Sequence, residues 1–337
     1  MANSLVTSIG TINNTSSTPL ALNTAYNTKY ATYLKLFSGE LFKAYESATV
    51  AKGTVQSRQL KNGKSLQFIF TGRMTADYHT PGEPILGSGD PPVAEKTIVC
   101  DDLLISSAFV YDLDETLAHY SLRSEISKKI GHALAEAYDK KIFRTIAISA
   151  RSAHPITAAP GPEPGGSVIQ IGSGNQYDAQ KLVDAFFEAA AILDEKNLPK
   201  QGRTAVLAPR QYYALVSQVD SNILNRDYGN SQGNLNSGQG LYQIAGIDLK
   251  LSNNLPFQAG NIAAVNGENN DYADDFTNHA GLIYQKDAAG VVEAIGPQVQ
   301  TTGSDIKTMY QGDLIVGRLA MGAGTLNPAA AIEIQTA

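Results

Sequence analysis

The chain has 337 residues, of which 43% are hydrophobic and 17% charged, and its formal net charge is −6. That length allows two or three domains with a sizeable core, and the acidic balance argues against a protein that grips nucleic acid by neutralising phosphates. Cys100 is the single cysteine, which excludes an intrachain disulfide and a Cys-x-x-Cys metal site.

Residues 1–25 are rich in Ser, Thr and Asn and read as a mobile or partner-dependent arm. This segment has neither a basic n-region nor an apolar h-region, so no signal peptide is expected and folding in a reducing cytosol is. No window approaches the roughly 18 consecutive apolar residues of a membrane-spanning helix. In residues 26–50, Tyr30, Tyr33, Leu34, Phe37, Leu41, Phe42 and Tyr45 recur at helical spacing. Gly39 interrupts them, so two short helices or one broken helix are expected.

A β region follows. Val55–Leu60 and Ser65–Phe70 flank Lys61-Asn62-Gly63-Lys64, and Asn-Gly between two strand-like runs predicts a hairpin. Residues 71–95 carry Pro81, Gly82, Pro84, Gly87, Gly89, Pro91 and Pro92, too punctuated for regular structure. Lys96–Cys100 and Leu103–Tyr111 read as returning strands, with Cys100 a buried, inert thiol. Isolated two-stranded ribbons are marginal in water, so this β-arm is expected to lie on a neighbouring subunit. Phe68, Phe70, Ile85 and Leu86 are its candidate anchors.

From Tyr111 to Ala150 one long amphipathic helix is expected. Asp112 and Glu115 form a capping pattern. Leu113, Leu117, Leu122, Ile126, Ile130, Leu134, Ala137, Ile142 and Ile146 form the apolar stripe. Arg123, Glu125, Lys128, Lys129, Glu136, Asp139, Lys140 and Lys141 form the solvated face. At 1.5 Å per residue such a helix spans about 55–60 Å, a strut rather than an ordinary helix. Gly131 within it is either a soft point for bending or a site of close packing.

His154–Gly174 reads as a loop, Asp178–Asn197 as a second amphipathic helix stopped by Pro199, and Thr204–Ala208 as a buried strand. Pro209 opens a third helix through Val219. After a polar loop at Arg226–Gly240, strands are expected at Ile247–Leu251, Ile262–Val265, Gly281–Tyr284 and Val291–Ile295, together an α/β unit. Leu314–Ala320, a Gly-rich turn and Ala330–Ile334 end the chain, the last strands packing back on the long helix. No internal repeat is visible.

The candidate chemistry is thin. Gly63-Lys64-Ser65 resembles the end of a phosphate loop, but the first glycine of that motif would fall at Arg58, and a strand follows instead of a helix. His132 and Glu136 stand four apart on the long helix, without further ligands at metal spacing. Asp271, Asp274 and Asp275 lack calcium-loop spacing and read as a solvated loop. No serine sits in a nucleophile elbow. No catalytic, cofactor-binding or metal-binding residue is assigned, and no enzyme activity is expected.

Several scattered motifs together resemble one family. They are Leu34-Lys35-Leu36-Phe37 with Gly39-Glu40, then Gly63-Lys64-Ser65, Gln67-Phe68, Gly72-Arg73, Ala76, Tyr78 and Pro81-Gly82-Glu83. On the long helix they are Tyr111-Asp112, His119-Tyr120, Arg123-Ser124-Glu125, Gly131 and Leu134-Ala135. Near the end come Ala320-Met321-Gly322, Gly324, Leu326 and Pro328. In this order they resemble the major capsid proteins of short-tailed bacteriophages of the autographivirus group.

The resemblance implies the α+β fold of the bacteriophage Hong Kong 97 capsid, with a spine helix, an extended β-arm (the E-loop) and an axial α/β domain. Residues 1–53 would be the N-terminal arm and 54–110 the E-loop. Residues 111–177 would form the peripheral domain with the spine helix, 178–299 the axial domain, and 300–337 the peripheral domain's C-terminal strands. The implied function is structural: hexamers and pentamers closing an icosahedral head around double-stranded DNA. Its implied partners are a scaffolding protein, a portal protein at one vertex and, as an open option, a decoration protein; no cofactor and no membrane are implied. Two other readings remain, the shell of an encapsulin-like protein compartment and an α/β enzyme with an unrecognised site.

Overall fold

The structure, a computed structural model, describes residues 41–72 without 42, 46 and 47, then 74, 76, 78–82, 84, 92–113, 122–157, 163–218, 243–301 and 309–336. Strands β1 (Gln56–Gln59), β2 (Ser65–Thr71), β3 (Val93–Val99) and β4 (Leu104–Tyr111) precede helix α1 (Leu122–Arg151). Then come β5 (Ser167–Gln170), α2 (Ala179–Glu195), β6 (Arg203–Leu207) and α3 (Pro209–Gln218). Short strands β7 (Gln243–Ile244), β8 (Ile247–Leu251), β9 (Asn261–Ile262) and β10 (Asp274–Asp275) lead to β11 (His279–Gln285). Finally there are β12 (Ala289–Thr301), β13 (Gly312–Thr325) and β14 (Ala331–Gln335). The chain divides into two compact units, one of Met1–Thr49, Leu103–Glu136 and Ile295–Ala320, the other of Val50–Asp102, Ala137–Ala294 and Met321–Ala337.

In the first unit β4 pairs antiparallel with β13, from Tyr111 opposite Gly312 to Leu104 opposite Leu319. The N-terminal half of α1 packs on this pair through Ile130 and Leu134, both buried. Gly317 makes that approach possible, since a Cβ there would collide with Ile130. Gly131 is likewise a packing residue: an added Cβ would stand 3.0 Å from the Leu41 carbonyl and from Ala44 Cβ. Its neighbours are helical residues near position 44. Overpacking such a contact costs about 1–3 kcal/mol. Gly317→Ala is therefore expected to lower the unfolding free energy by that amount, seen as a lower denaturant midpoint at unchanged m-value, and a loss below ~0.5 kcal/mol would contradict the packing described.

The second unit is built on a six-stranded sheet in the order β5-β14-β11-β6-β8-β7. β11 pairs antiparallel with β14 and β6, while β6–β8 and β14–β5 are parallel. Every residue of β6 and β11 is buried, as befits central strands. Asp178 caps α2, its Oδ1 accepting the Gln180 N–H at 2.9 Å. The helix then buries Leu182, Val183, Phe186, Ala189 and Leu193 against Leu207, Ile247, Ile283, Ile332 and Ile334. Burial of that kind, at ~25 cal/mol per Å² of apolar surface, holds the unit together.

Four expectations need correcting. The turn at Asn62-Gly63 closes no hairpin: β1 pairs parallel with β12, Gln56 opposite Gly290, and β2 pairs with β3, Ser65 opposite Val99. Local turn propensity is overridden because that pairing buries Phe68 and Ile98 against Val292 and Leu326. Tyr111 ends β4 rather than starting the helix, while Asp112 and Leu113 are helical; α1 is described over 30 residues from Leu122, and Glu115 of the capping pair lies outside the described residues. The Gly-rich turn is instead the continuation of β13, where Gly322 lets the Val99 carbonyl approach closer than a Cβ would allow. Ala331–Gln335 packs within the six-stranded sheet, its side chains buried on both faces from Ala331 to Ile334, Glu333 included.

Candidate assembly surface

β2 and β3 form a two-stranded ribbon with apolar residues on both faces. On one face Phe68 and Ile98 join Val292 and Leu326 in a small cluster, with Leu60, Leu66 and Phe70 packed around it. The Arg58 guanidinium stands 4.7 Å from the Phe68 ring centre. On the other face Gln67, Ile69, Thr71, Val93, Glu95 and Thr97 are exposed, Ile69 at 72% and Val93 at 61%. Met74 and Tyr78, beyond the ribbon, are exposed too. Phe68 is thus committed to its own chain and cannot anchor on another, and Phe70 is partly buried beside it; Ile85 and Leu86 lie outside the described residues. The apolar surface left for a partner is Ile69 and Val93, and exposed apolar surface of this kind marks interaction sites.

The root of the ribbon is locked by Asp101, whose side chain is 1% exposed. Its Oδ2 accepts from Lys141 Nζ at 3.0 Å and from the Tyr272 hydroxyl at 2.8 Å. Its Oδ1 accepts from the Asn269 N–H at 2.9 Å and from Asn270 Nδ2 at 3.0 Å. Asn270 also clamps Val99, accepting its N–H at 3.2 Å and donating to its carbonyl at 2.6 Å. The Tyr272 hydroxyl accepts the Ala323 N–H at 2.8 Å. Burial and then Asp101 push the Tyr272 pKa up, so it remains a donor. Burial, again followed by Asp101, raises the Cys100 thiol, which leaves it inert as expected. Lys141, read from sequence as solvated, is the cation of this buried network.

A second network fastens the C-terminal end of α1. Arg151 donates from Nε and Nη2 to the two Glu333 oxygens, both at 2.6 Å, and from Nη1 to Asp274 at 2.9 Å. His279 Nδ1 lies 2.6 Å from Glu333 Oε1. Burial alone would raise the Glu333 carboxyl, but the hydrogen bonds from Arg151 and His279 hold it below the usual range. Asp139, the other residue misread as solvated, is fully buried. It accepts the N–H groups of Val50 and Ala51 at 2.9 and 3.1 Å and Asn254 Nδ2 at 3.3 Å. Burial still raises its carboxyl above the ordinary value.

These polar clusters brace elements rather than line a cleft. His132 and Glu136 are exposed on α1, and among the described residues no three His, Cys, Asp or Glu side chains are grouped to hold a metal ion. The networks escaped sequence reading, though one signal was present: Glu333 is a lone charge in an otherwise apolar strand, which demands a buried partner.

Comparison with known proteins agrees with this architecture. The capsid of cyanophage P-SCSP1u superposes with a TM-score of 0.75 at 35% identity, covering 86% of this chain and 88% of that one. The virus-like particle protein of Pyrococcus furiosus superposes with a TM-score of 0.55 at 13% identity, covering 90% and 99%, a likeness of fold alone. The strut helix, the ribbon and the six-stranded sheet are those of a Hong Kong 97-type capsid shell protein. Over 325 residues the chain is 26% identical to the major capsid protein of Escherichia phage T7, covering 90% of this chain and 91% of the relative. Residues 68–335 match the family model of Gp10A-like major capsid proteins, and the chain belongs to that family.

Proposed function

We propose that this chain builds the icosahedral head of a short-tailed bacteriophage, as hexamers and pentamers on a T=7 lattice, around packaged double-stranded DNA. The observation that carries the reading is the family match across residues 68–335, and the half-covered β2–β3 ribbon gives it a physical basis. Head-to-tail contacts generate rings, and one chain must serve both five- and six-membered ones. The ribbon supplies such a contact by laying Ile69 and Val93 on the next subunit. The role is structural, without catalysis. Assembly takes place in the host cytoplasm with a scaffolding protein, and a portal protein occupies one vertex; a decoration protein could be added outside. An acidic chain suits a wall that confines DNA without gripping it.

In domain terms residues 1–53 act as the N-terminal arm, 54–110 as the E-loop, 111–177 as the peripheral domain and 178–299 as the axial domain. Residues 300–337 return to the peripheral domain, except that β14 completes the axial sheet. Co-expression with a scaffolding protein of the same phage tests the reading. Sedimentation and electron microscopy should find closed particles; soluble subunits alone, at every concentration and ionic condition, would overturn it.

A further inference from the structure

The outer strand of the first unit presents a bare edge. β4 pairs with β13 on one side and, among the described residues, with no strand on the other. Edge strands are normally blunted by lysine, proline or a bulge, because their free N–H and C=O groups recruit other chains. β4 reads Leu-Ile-Ser-Ser-Ala-Phe-Val-Tyr, with no charge and no proline, and its register with β13 is unbroken from Leu104 to Tyr111.

The edge is apolar as well. Leu103, Ile105 and Tyr111 are 42%, 55% and 54% exposed. With Ser107 and Phe109 they alternate along the strand and share one face, opposite the face on which Gly317 meets α1. The Phe109 and Tyr111 rings meet edge-on at 4.9 Å, and Tyr310 stands 6.4 Å from Phe109.

We propose that β4 pairs with β4 of a second copy of this chain, antiparallel about a two-fold axis through Ser107. This rests on the shell reading above and names one contact of the shell. The strand is self-complementary in that register: Ile105 faces Phe109, Leu103 faces Tyr111, and the small Ser107 meets its own counterpart on the axis. Apolar side chains meet apolar ones, as stable cross-strand pairs require. A slip by one residue would turn one copy over, placing its α1-covered face beside the bare face of the other. The occupant is a second copy because an isologous contact needs a self-complementary patch. Copies carrying net charge −6 also approach most easily along a strand with no charge.

Paired residues on the axis lie about 4.5–5.5 Å apart between Cα atoms, inside the range a disulfide spans. The test uses the full chain with C100S, which removes the only thiol, and S107C. Mild oxidation of its assemblies should give covalent dimers on a non-reducing gel. I105C with F109C should do the same, and I105C alone should not. Assembled S107C chain that stays monomeric on the gel overturns the pairing but leaves the shell reading intact. Failure of the unaltered chain to form any closed particle counts against the shell reading itself. Hydrogen exchange on the unaltered chain gives an independent check: β4 amides should become protected on assembly, and equal exchange before and after refutes the contact.

Discussion

Deleting residues 80–93 is expected to abolish closed particles while leaving soluble, folded subunits. Of the paired ribbon the deletion removes only Val93 of β3, whose partner Thr71 is the last residue of β2. The cluster of Phe68, Ile98, Val292 and Leu326 and the Asp101 network at the ribbon's root stay whole, so the melting temperature should move by only a few degrees, the size of a ~1 kcal/mol effect in a chain this large. Assembly has no such reserve, because every subunit loses the same contact at once. Sedimentation separates the outcomes: a slow peak with native circular dichroism is expected, and particles of normal size and yield would show that the ribbon makes no essential contact.

Arg151→Met is expected to cost about 3–5 kcal/mol, the penalty for leaving a buried charge without its partner. Glu333 is fully buried and takes two hydrogen bonds from Arg151; without them it keeps its contacts to His279 and Gln335, so the variant holds an anion without its guanidinium partner or takes up a proton. Against a typical total stability of about 5–15 kcal/mol this is a large loss. The double variant R151M/E333M should recover part of it, since two apolar side chains need no partner while buried His279 loses its bond to Glu333. The pH dependence has a definite sign. In the unaltered chain the folded Glu333 carboxyl lies below its unfolded value, so its contribution is full above the ordinary carboxylate range and is lost as pH falls through the folded value. In R151M the carboxyl loses those hydrogen bonds while its burial remains, so its pKa rises and the deficit against the unaltered chain should shrink as pH falls toward 5. A deficit independent of pH would mean that the cost lies in packing instead.

What the sequence disclosed, and what it withheld, follows from the range of the forces involved. The α2 helix was legible because Asp178 caps it and its apolar period is clean; β6 was legible as a short buried run and β8 by its alternation of apolar and charged residues. The long helix was legible in kind, and Asp112 of the capping pattern with Glu115 is helical; only Tyr111 was misplaced, because β13 claims it as a strand partner. The hairpin at Asn62-Gly63 was misread for the same reason: a local turn signal yielded to pairing partners more than 200 residues away in β12. β5 hid in a proline- and glycine-rich stretch, since four residues on a sheet edge leave little pattern. Asp139 and Lys141 fit a helical polar face by spacing, yet their partners are Val50, Ala51 and Asp101, which no periodicity could announce. The candidate anchors were only partly legible, because alternation shows that a strand has two apolar faces but not which one its own chain covers.

To close a shell, this one chain must occupy both pentamers and hexamers. An icosahedral reconstruction of particles formed by this chain measures that directly. Density for this fold is expected at every five-fold and six-fold ring position, with the β2–β3 ribbon lying on the adjacent subunit and Ile69 and Val93 buried there. A particle built of one ring type alone, or one in which both residues remain in solvent in every subunit, would contradict it.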